Sequence, residues 1–177
     1  MQTRKDFENM PVDNRVMGKF YDGLSPEGYD QMFRVDVNYT DPEMISQSLV
    51  DLKLPQDSKV LDVGAGTGVI GQLLAEKSGM TNIDAIDASE KFLETLVSRG
   101  HYKTATLAML GYGNFPEAAR VAQYDAVTAC GVFLTGHMPK EALDEIVAYL
   151  KPGAYFVTAM RQCYYQPEET MGYHGKF

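Results

Sequence analysis

The stretch VLDVGAGTGVIG, residues 60–71, runs an apolar segment directly into a loop with four glycines, and places Asp62 at the junction. The β-branched residues of KVLDV suit a buried strand. The residues Val69, Ile70, Leu73 and Leu74 beyond the loop fall on one helical face, and Gly79 closes that helix as a C-cap. One glycine would make the turn between strand and helix. Gly64, Gly66 and Gly68 at alternate positions also strip side chains from a loop ending at a helix N-terminus, which lets a ligand approach the backbone.

The same grammar extends on both sides. Upstream, Asp41 is placed to cap a helix whose first position is Pro42, with Ile45, Leu49 and Leu52 on one face, and LPQDS breaks it. Downstream come a strand in NIDAID, a helix in SEKFLETLVSRG, a strand in KTATLAML and another entering at YDAVTACGVF. KEALDEIVAYLKPG spaces Leu143, Ile146, Val147 and Leu150 as a helix face, and AYFVTAM reads as a last strand. Parallel neighbours need a crossover of helix length, so the expected fold is α/β: a Rossmann-like doubly wound sheet of about five parallel strands. Ligands in such sheets sit at the carboxyl ends of the strands.

Composition narrows the class. With 177 residues, 45% of them hydrophobic, one core is expected. Sixteen Lys and Arg against 24 Asp and Glu give a net charge of −8 without a basic cluster, so nucleic acid is not expected as a partner. Cys130 and Cys163 match no zinc spacing, which fits a reducing cytoplasm and no metal site. The N-terminus mixes charges where a secretory signal is apolar, and no run reaches the ~18 residues of a membrane span.

Two ligand classes compete for the loop. The dinucleotide fingerprint G-x-G-x-x-G needs its third glycine where this chain has Val69, which weakens a pyrophosphate reading and leaves an NAD-dependent oxidoreductase as a distant alternative. Asp62, two residues before Gly64, is expected to accept loop N–H groups and to favour a cation nearby.

LDVGAGTGVIG followed by IDAIDASEKFL resembles the first two motifs of class I S-adenosylmethionine-dependent methyltransferases, and the likeness continues through YDAVTACGVF and LKPGAYFV, about residues 40 to 160. TLAMLG and ACGVFLTGHMP further resemble the methyltransferase-like proteins of the Williams–Beuren region. The resemblance implies S-adenosylmethionine as cofactor, with Asp62, Gly64, Ala65, Gly66 and Gly68 around its methionine end. Asp87, closing the second strand, is then expected to accept the ribose hydroxyls; its other reading is an N-cap, a role Ser89 can fill itself. Ala88 and Phe92 follow as walls for adenine, although Phe92 equally suits plain core. AMLGYG lacks the acid that many members carry there, so adenine contact falls to the backbone around Met109 and Leu110. Cys130 and Gly131 are placed near the sulfonium, Cys130 as a small buried filler rather than a nucleophile. His137 is the titratable candidate for a general base, with an ordinary loop histidine as the alternative.

The first forty residues carry Tyr29 and Tyr39 among other aromatics with weak periodicity, and read as a lid or cap over the cofactor, with surface packing of the two tyrosines as an equal alternative; residues 41–160 form the binding domain and 161–177 a polar tail. That tail is too short and polar for the antiparallel hairpin usual in the family, so either the chain is truncated, or a partner, a second copy by self-association, or the tail covers the edge of the fifth strand. The absence of an N-P-P-Y-type element after the fourth strand argues, by analogy, against methylation of adenine or glutamine amino groups. A small-molecule or protein methyl acceptor is expected, with a non-catalytic S-adenosylmethionine binder as the alternative.

Overall fold

The computed structural model describes residues 6–113, 121–168 and 171–176, so parts of the expected lid and tail lie outside the described residues. A 3₁₀ turn at Asn14–Val16 leads into two short helices, α1 (Met17–Asp22) and α2 (Pro26–Asp30), a widened π-type turn at Gln31–Asp36, and α3 (Asp41–Asp51). Strands and helices then alternate: β1 (Val60–Val63), α4 (Val69–Ser78), β2 (Ile83–Asp87), α5 (Glu90–Arg99) and β3 (Thr104–Leu107). β4 (Tyr124–Cys130), α6 (Ala142–Tyr149) and β5 (Leu150–Ala159) complete the sheet. Its order is β3-β2-β1-β4-β5 and all four pairings are parallel.

Every residue of β1 is buried, because helices cover both faces of the sheet at its centre. Period-2 alternation divides the strand between two cores. Leu61 and Val63 join Val127, Leu143 and Ile146 on the α6 side. Val60 joins Ile45 and Leu49 of α3 and Ile70 and Leu74 of α4 on the other. Among the described residues no helix is long and apolar enough to cross a membrane.

Several local expectations change. α3 begins at Asp41 itself, with Thr40 in the capping position and Pro42 second, so Asp41 supplies first-turn charge rather than a cap. β5 starts at Leu150 rather than Ala154, since Leu150 pairs with Tyr124 across an irregularity in register. β5 pairs only with β4, and no antiparallel hairpin follows it among the described residues. The tail is not simply polar surface: Tyr173 is fully buried against Phe133, and Tyr164 and Met171 pack on the same core.

Candidate active site

β1 and β4 are neighbours, but the chain leaves them toward opposite edges of the sheet, so a crevice opens at their carboxyl ends. α1 and α2 roof this crevice into a cavity of about 740 Å³ including its open mouth.

The glycine loop forms the floor. Gly66 is left-handed at φ +57°, and its N–H donates to Asp87 Oδ2 at 2.7 Å. Asp87 Oδ1 accepts the N–H of Ser89 at 2.8 Å, while Ser89 Oγ caps α5 by accepting from Phe92 N. Both expected features of this turn therefore coexist: Ser89 caps the helix and Asp87 faces the cavity. Burial raises the Asp87 pKa, and the N–H groups of Ser89, Gly66 and Ala88 oppose that rise.

Of the other residues singled out from sequence, Gly64, Ala88, Met109 and Leu110 line the same cavity, and so do Cys130, Gly131, Tyr29 and His137. Burial pushes the Cys130 thiol up to about 12, so it stays protonated near neutral pH. Ala65 borders a smaller recess on the other side of the loop, together with Tyr39 and Glu43. Gly68 lies behind the loop against Leu96 and Tyr102.

Asp62 departs from expectation. It accepts from Tyr102 Oη at 2.7 Å and Thr128 Oγ1 at 2.8 Å rather than from loop N–H groups, and at 1% exposure it sits beneath the floor. The reason is the pleat: Asp62 shares a face with Val60, on the side of the sheet that α4 covers, where Tyr102 and Thr128 reach it. Tyr102 Oη in turn accepts the N–H of Gly71 at 2.8 Å, so Asp62 braces the first turn of α4 through a phenol. Burial holds the Asp62 carboxyl up at about 6, against the lowering effect of its two hydroxyl partners. Asp84 of β2 is also buried; Thr104 Oγ1 at 2.7 Å, Tyr124 Oη at 3.0 Å and Lys59 at 3.2 Å satisfy it.

Besides Tyr29, the roof and its contacts hold residues that sequence reading passed over. Asp22 accepts from Ser89 Oγ at 2.7 Å, and Lys91 Nζ reaches the Leu24 carbonyl at 2.6 Å. Asp30 accepts from Thr67 Oγ1 at 2.6 Å and pairs with Arg99, whose other nitrogen donates to the Thr67 carbonyl. Gly18 presses on Ala88 so closely that a Cβ there would stand 2.2 Å from the Ala88 oxygen. Tyr21 and Tyr29 stack near Phe92, with centroids at 5.4 and 5.0 Å. The signal available in the sequence was the repeated Tyr-Asp pair of YDGLSPEGYD, whose aspartates supply both latches.

Tyr21 Oη lies 2.7 Å from His137 Nε2, and His137 Nδ1 lies 3.1 Å from the Thr135 carbonyl. A carbonyl only accepts, so Nδ1 carries the proton and Nε2 receives the Tyr21 hydroxyl. Burial lowers the His137 pKa.

The methyltransferase domain family matches residues 61–156. No curated protein matches the chain, so the finer Williams–Beuren resemblance rests on its two quoted motifs. Among solved structures, a chain of the complex of the Haloferax volcanii Trm112 methyltransferase activator aligns with a TM-score of 0.63 and 18% identity, over 84% of this chain and 64% of that one. An S-adenosylmethionine-dependent methyltransferase of Clostridium acetobutylicum gives 0.54 and 24%, over 75% and 54%. Magnesium protoporphyrin IX methyltransferase of Synechocystis, solved with S-adenosylmethionine bound, gives 0.57 and 19%, over 78% and 72%. The chain thus spans less than two thirds of the first two, and at these identities the likeness is one of fold. With the family match covering more than half of its length and the strand order its motifs require, the chain belongs to the class I S-adenosylmethionine-dependent methyltransferases.

Proposed function

We propose that this chain binds S-adenosylmethionine in the roofed cavity and transfers its methyl group to a small-molecule acceptor. The observation that carries the reading is the cavity's charge: among the described residues its lining contains the Asp87 carboxylate and no Lys or Arg. A lining without cationic side chains gives a pyrophosphate no counter-charge, whereas a cofactor bearing a sulfonium suits a cavity whose charge is a carboxylate.

The donor set fits the cofactor in other respects. Asp87 Oδ2 accepts the Gly66 N–H and Oδ1 the Ser89 N–H, and the carboxylate's about four acceptor sites leave capacity for a ribose hydroxyl. Ala88, Phe92, Met109 and Leu110 offer an apolar slot suited to adenine. Cys130 and Gly131, at the end of β4, border the cavity beside the glycine loop, where the sulfonium is proposed to lie. When bound, S-adenosylmethionine supplies an already activated methyl group, so the protein's part is to position the acceptor and exclude water. The roof of α1 and α2 serves the second task.

Calorimetric titration with S-adenosylmethionine, S-adenosylhomocysteine and NAD tests the reading. Binding of both sulfur compounds with no response to NAD is expected; tight NAD binding with no response to the other two would overturn it. Incubation with labelled cofactor and cell metabolites separates an enzyme from a non-catalytic binder, since only the enzyme yields methylated product.

A further inference from the structure

The geometry points to Tyr21 and His137 as a proton-accepting pair of the methyl-transfer site, serving an acceptor that reacts through a hydroxyl or an amine. This rests on the proposed function and goes beyond it by assigning the acceptor's chemical class. Tyr21 sits on α1 in the roof and His137 on the segment after β4, and both line the cavity.

Three features make the pair more than a clasp between roof and wall. First, the Thr135 carbonyl fixes the Nδ1–H tautomer, which presents the basic Nε2 to the Tyr21 hydroxyl at 2.7 Å. Second, among the described residues no carboxylate bonds to either ring nitrogen, and burial disfavours the charged ring, so His137 rests neutral with Nε2 unprotonated. Third, the Tyr21 oxygen keeps lone pairs after donating, and its neighbours Tyr29 and Phe92 leave it in an aromatic enclosure with Asp87 as the nearby charge. An acceptor O–H or N–H placed against that oxygen has a path for its proton.

The transfer balances. As the nucleophile's lone pair forms the new bond to the methyl carbon, the carbon–sulfur bond breaks and its electron pair stays on sulfur. The nucleophile's proton passes to Tyr21 Oη, and the Tyr21 proton passes to His137 Nε2, leaving a neutral tyrosine and an imidazolium. The Thr135 carbonyl holds the Nδ1–H of that imidazolium. A thiol that ionises on its own in solution would not need the relay.

Two measurements test this on the full chain. The first follows transfer from labelled S-adenosylmethionine to catechol, benzylamine and thiophenol in wild type, Tyr21→Phe and His137→Gln. Both variants are expected to lower rates on catechol and benzylamine about 100-fold relative to the rate on thiophenol, the scale of general-base catalysis. Equal losses on all three probes, no losses, or product from thiophenol alone or from none of them would overturn the pair. The second measurement records imidazole nitrogen resonances: a neutral Nδ1–H tautomer for His137 is expected, with its Nε2 signal shifting in Tyr21→Phe. An Nε2–H tautomer, or an unmoved signal, would overturn it without reference to turnover. Absence of S-adenosylmethionine binding in the wild type ends the proposed function and this inference together; intact binding with unchanged variant rates ends only the inference.

Discussion

Asp87 Oδ2 accepts the N–H of Gly66 at 2.7 Å, which ties the last residue of β2 to the middle of the glycine loop that follows β1. One carboxylate therefore shapes the floor of the cavity and, in the proposed function, offers its remaining lone pairs to the ligand. Asp87→Ala is expected to weaken S-adenosylmethionine binding by about 1.5–3 kcal/mol, the scale of hydrogen bonds to a charged group. Asp87→Asn keeps one carbonyl oxygen and should lose less. Calorimetry on both variants checks this, and unchanged affinity in Asp87→Ala would remove the residue from the site.

Gly18 tests how tightly the roof must seat. Its missing Cβ leaves room for the Ala88 carbonyl, and a methyl group would need a space already filled by backbone oxygen at 2.2 Å. Gly18→Ala is expected to lift α1 and cost about 1–3 kcal/mol of stability, as overpacking does, despite alanine's better helix propensity. Urea unfolding measures the loss. A variant as stable as wild type would show that α1 has freedom to move away from Ala88.

The legible and illegible parts of this fold divide along the reach of their contacts. Residues 60–159 announce themselves because strand and helix periods are local properties, and the glycine loop is a local solution to a turn. The order β3-β2-β1-β4-β5 then brings Gly64, Asp87 and Cys130 to one rim, since all end at or just beyond parallel strands. The roof follows no such rule. Tyr21 meets His137 from 116 residues away and Asp30 meets Arg99 from 69, and no spacing within residues 6–40 encodes either partner. Asp62 misleads for a related reason: its place next to the glycines suggests a ligand contact, while the pleat points it down to Tyr102 and Thr128 from two other elements.

The Asp30 latch should govern access to the cavity. Asp30→Ala takes the acceptor from Thr67 Oγ1 and the ion-pair partner from Arg99, both part-buried. A loss of about 1–3 kcal/mol is expected from the groups left without partners, localised to the seating of α2. Limited proteolysis should then cut within residues 23–40 faster than in wild type, with core unfolding by urea changed less. Equal cleavage rates would mean that the aromatic contacts of Tyr29 hold the roof without the latch.

Asp62 gives the protein a pH dependence whose sign follows from its burial. Its carboxyl is raised from the ordinary 3.8 to about 6 in the folded chain, so between those values the folded state keeps a proton that the unfolded state has released. The stability this contributes is full below the unfolded value and is lost as pH rises through the folded one, approaching about 3 kcal/mol in total. Asp62→Asn cannot ionise and should lack this loss, although its single carbonyl oxygen serves the two hydroxyls of Tyr102 and Thr128 less well than a carboxylate. The free-energy difference between wild type and Asp62→Asn, measured by urea unfolding at intervals from about pH 4 to pH 8, should therefore shift against the wild type as pH rises toward the folded value of about 6 and level off above it. His137, lowered by burial, works in the opposite direction, because charging its ring disfavours the folded state as pH falls; being present in both proteins, it cancels in the difference. A difference that stays constant across the range would mean that Tyr102 and Thr128 hold Asp62 ionised throughout, with their hydroxyls outweighing the effect of burial.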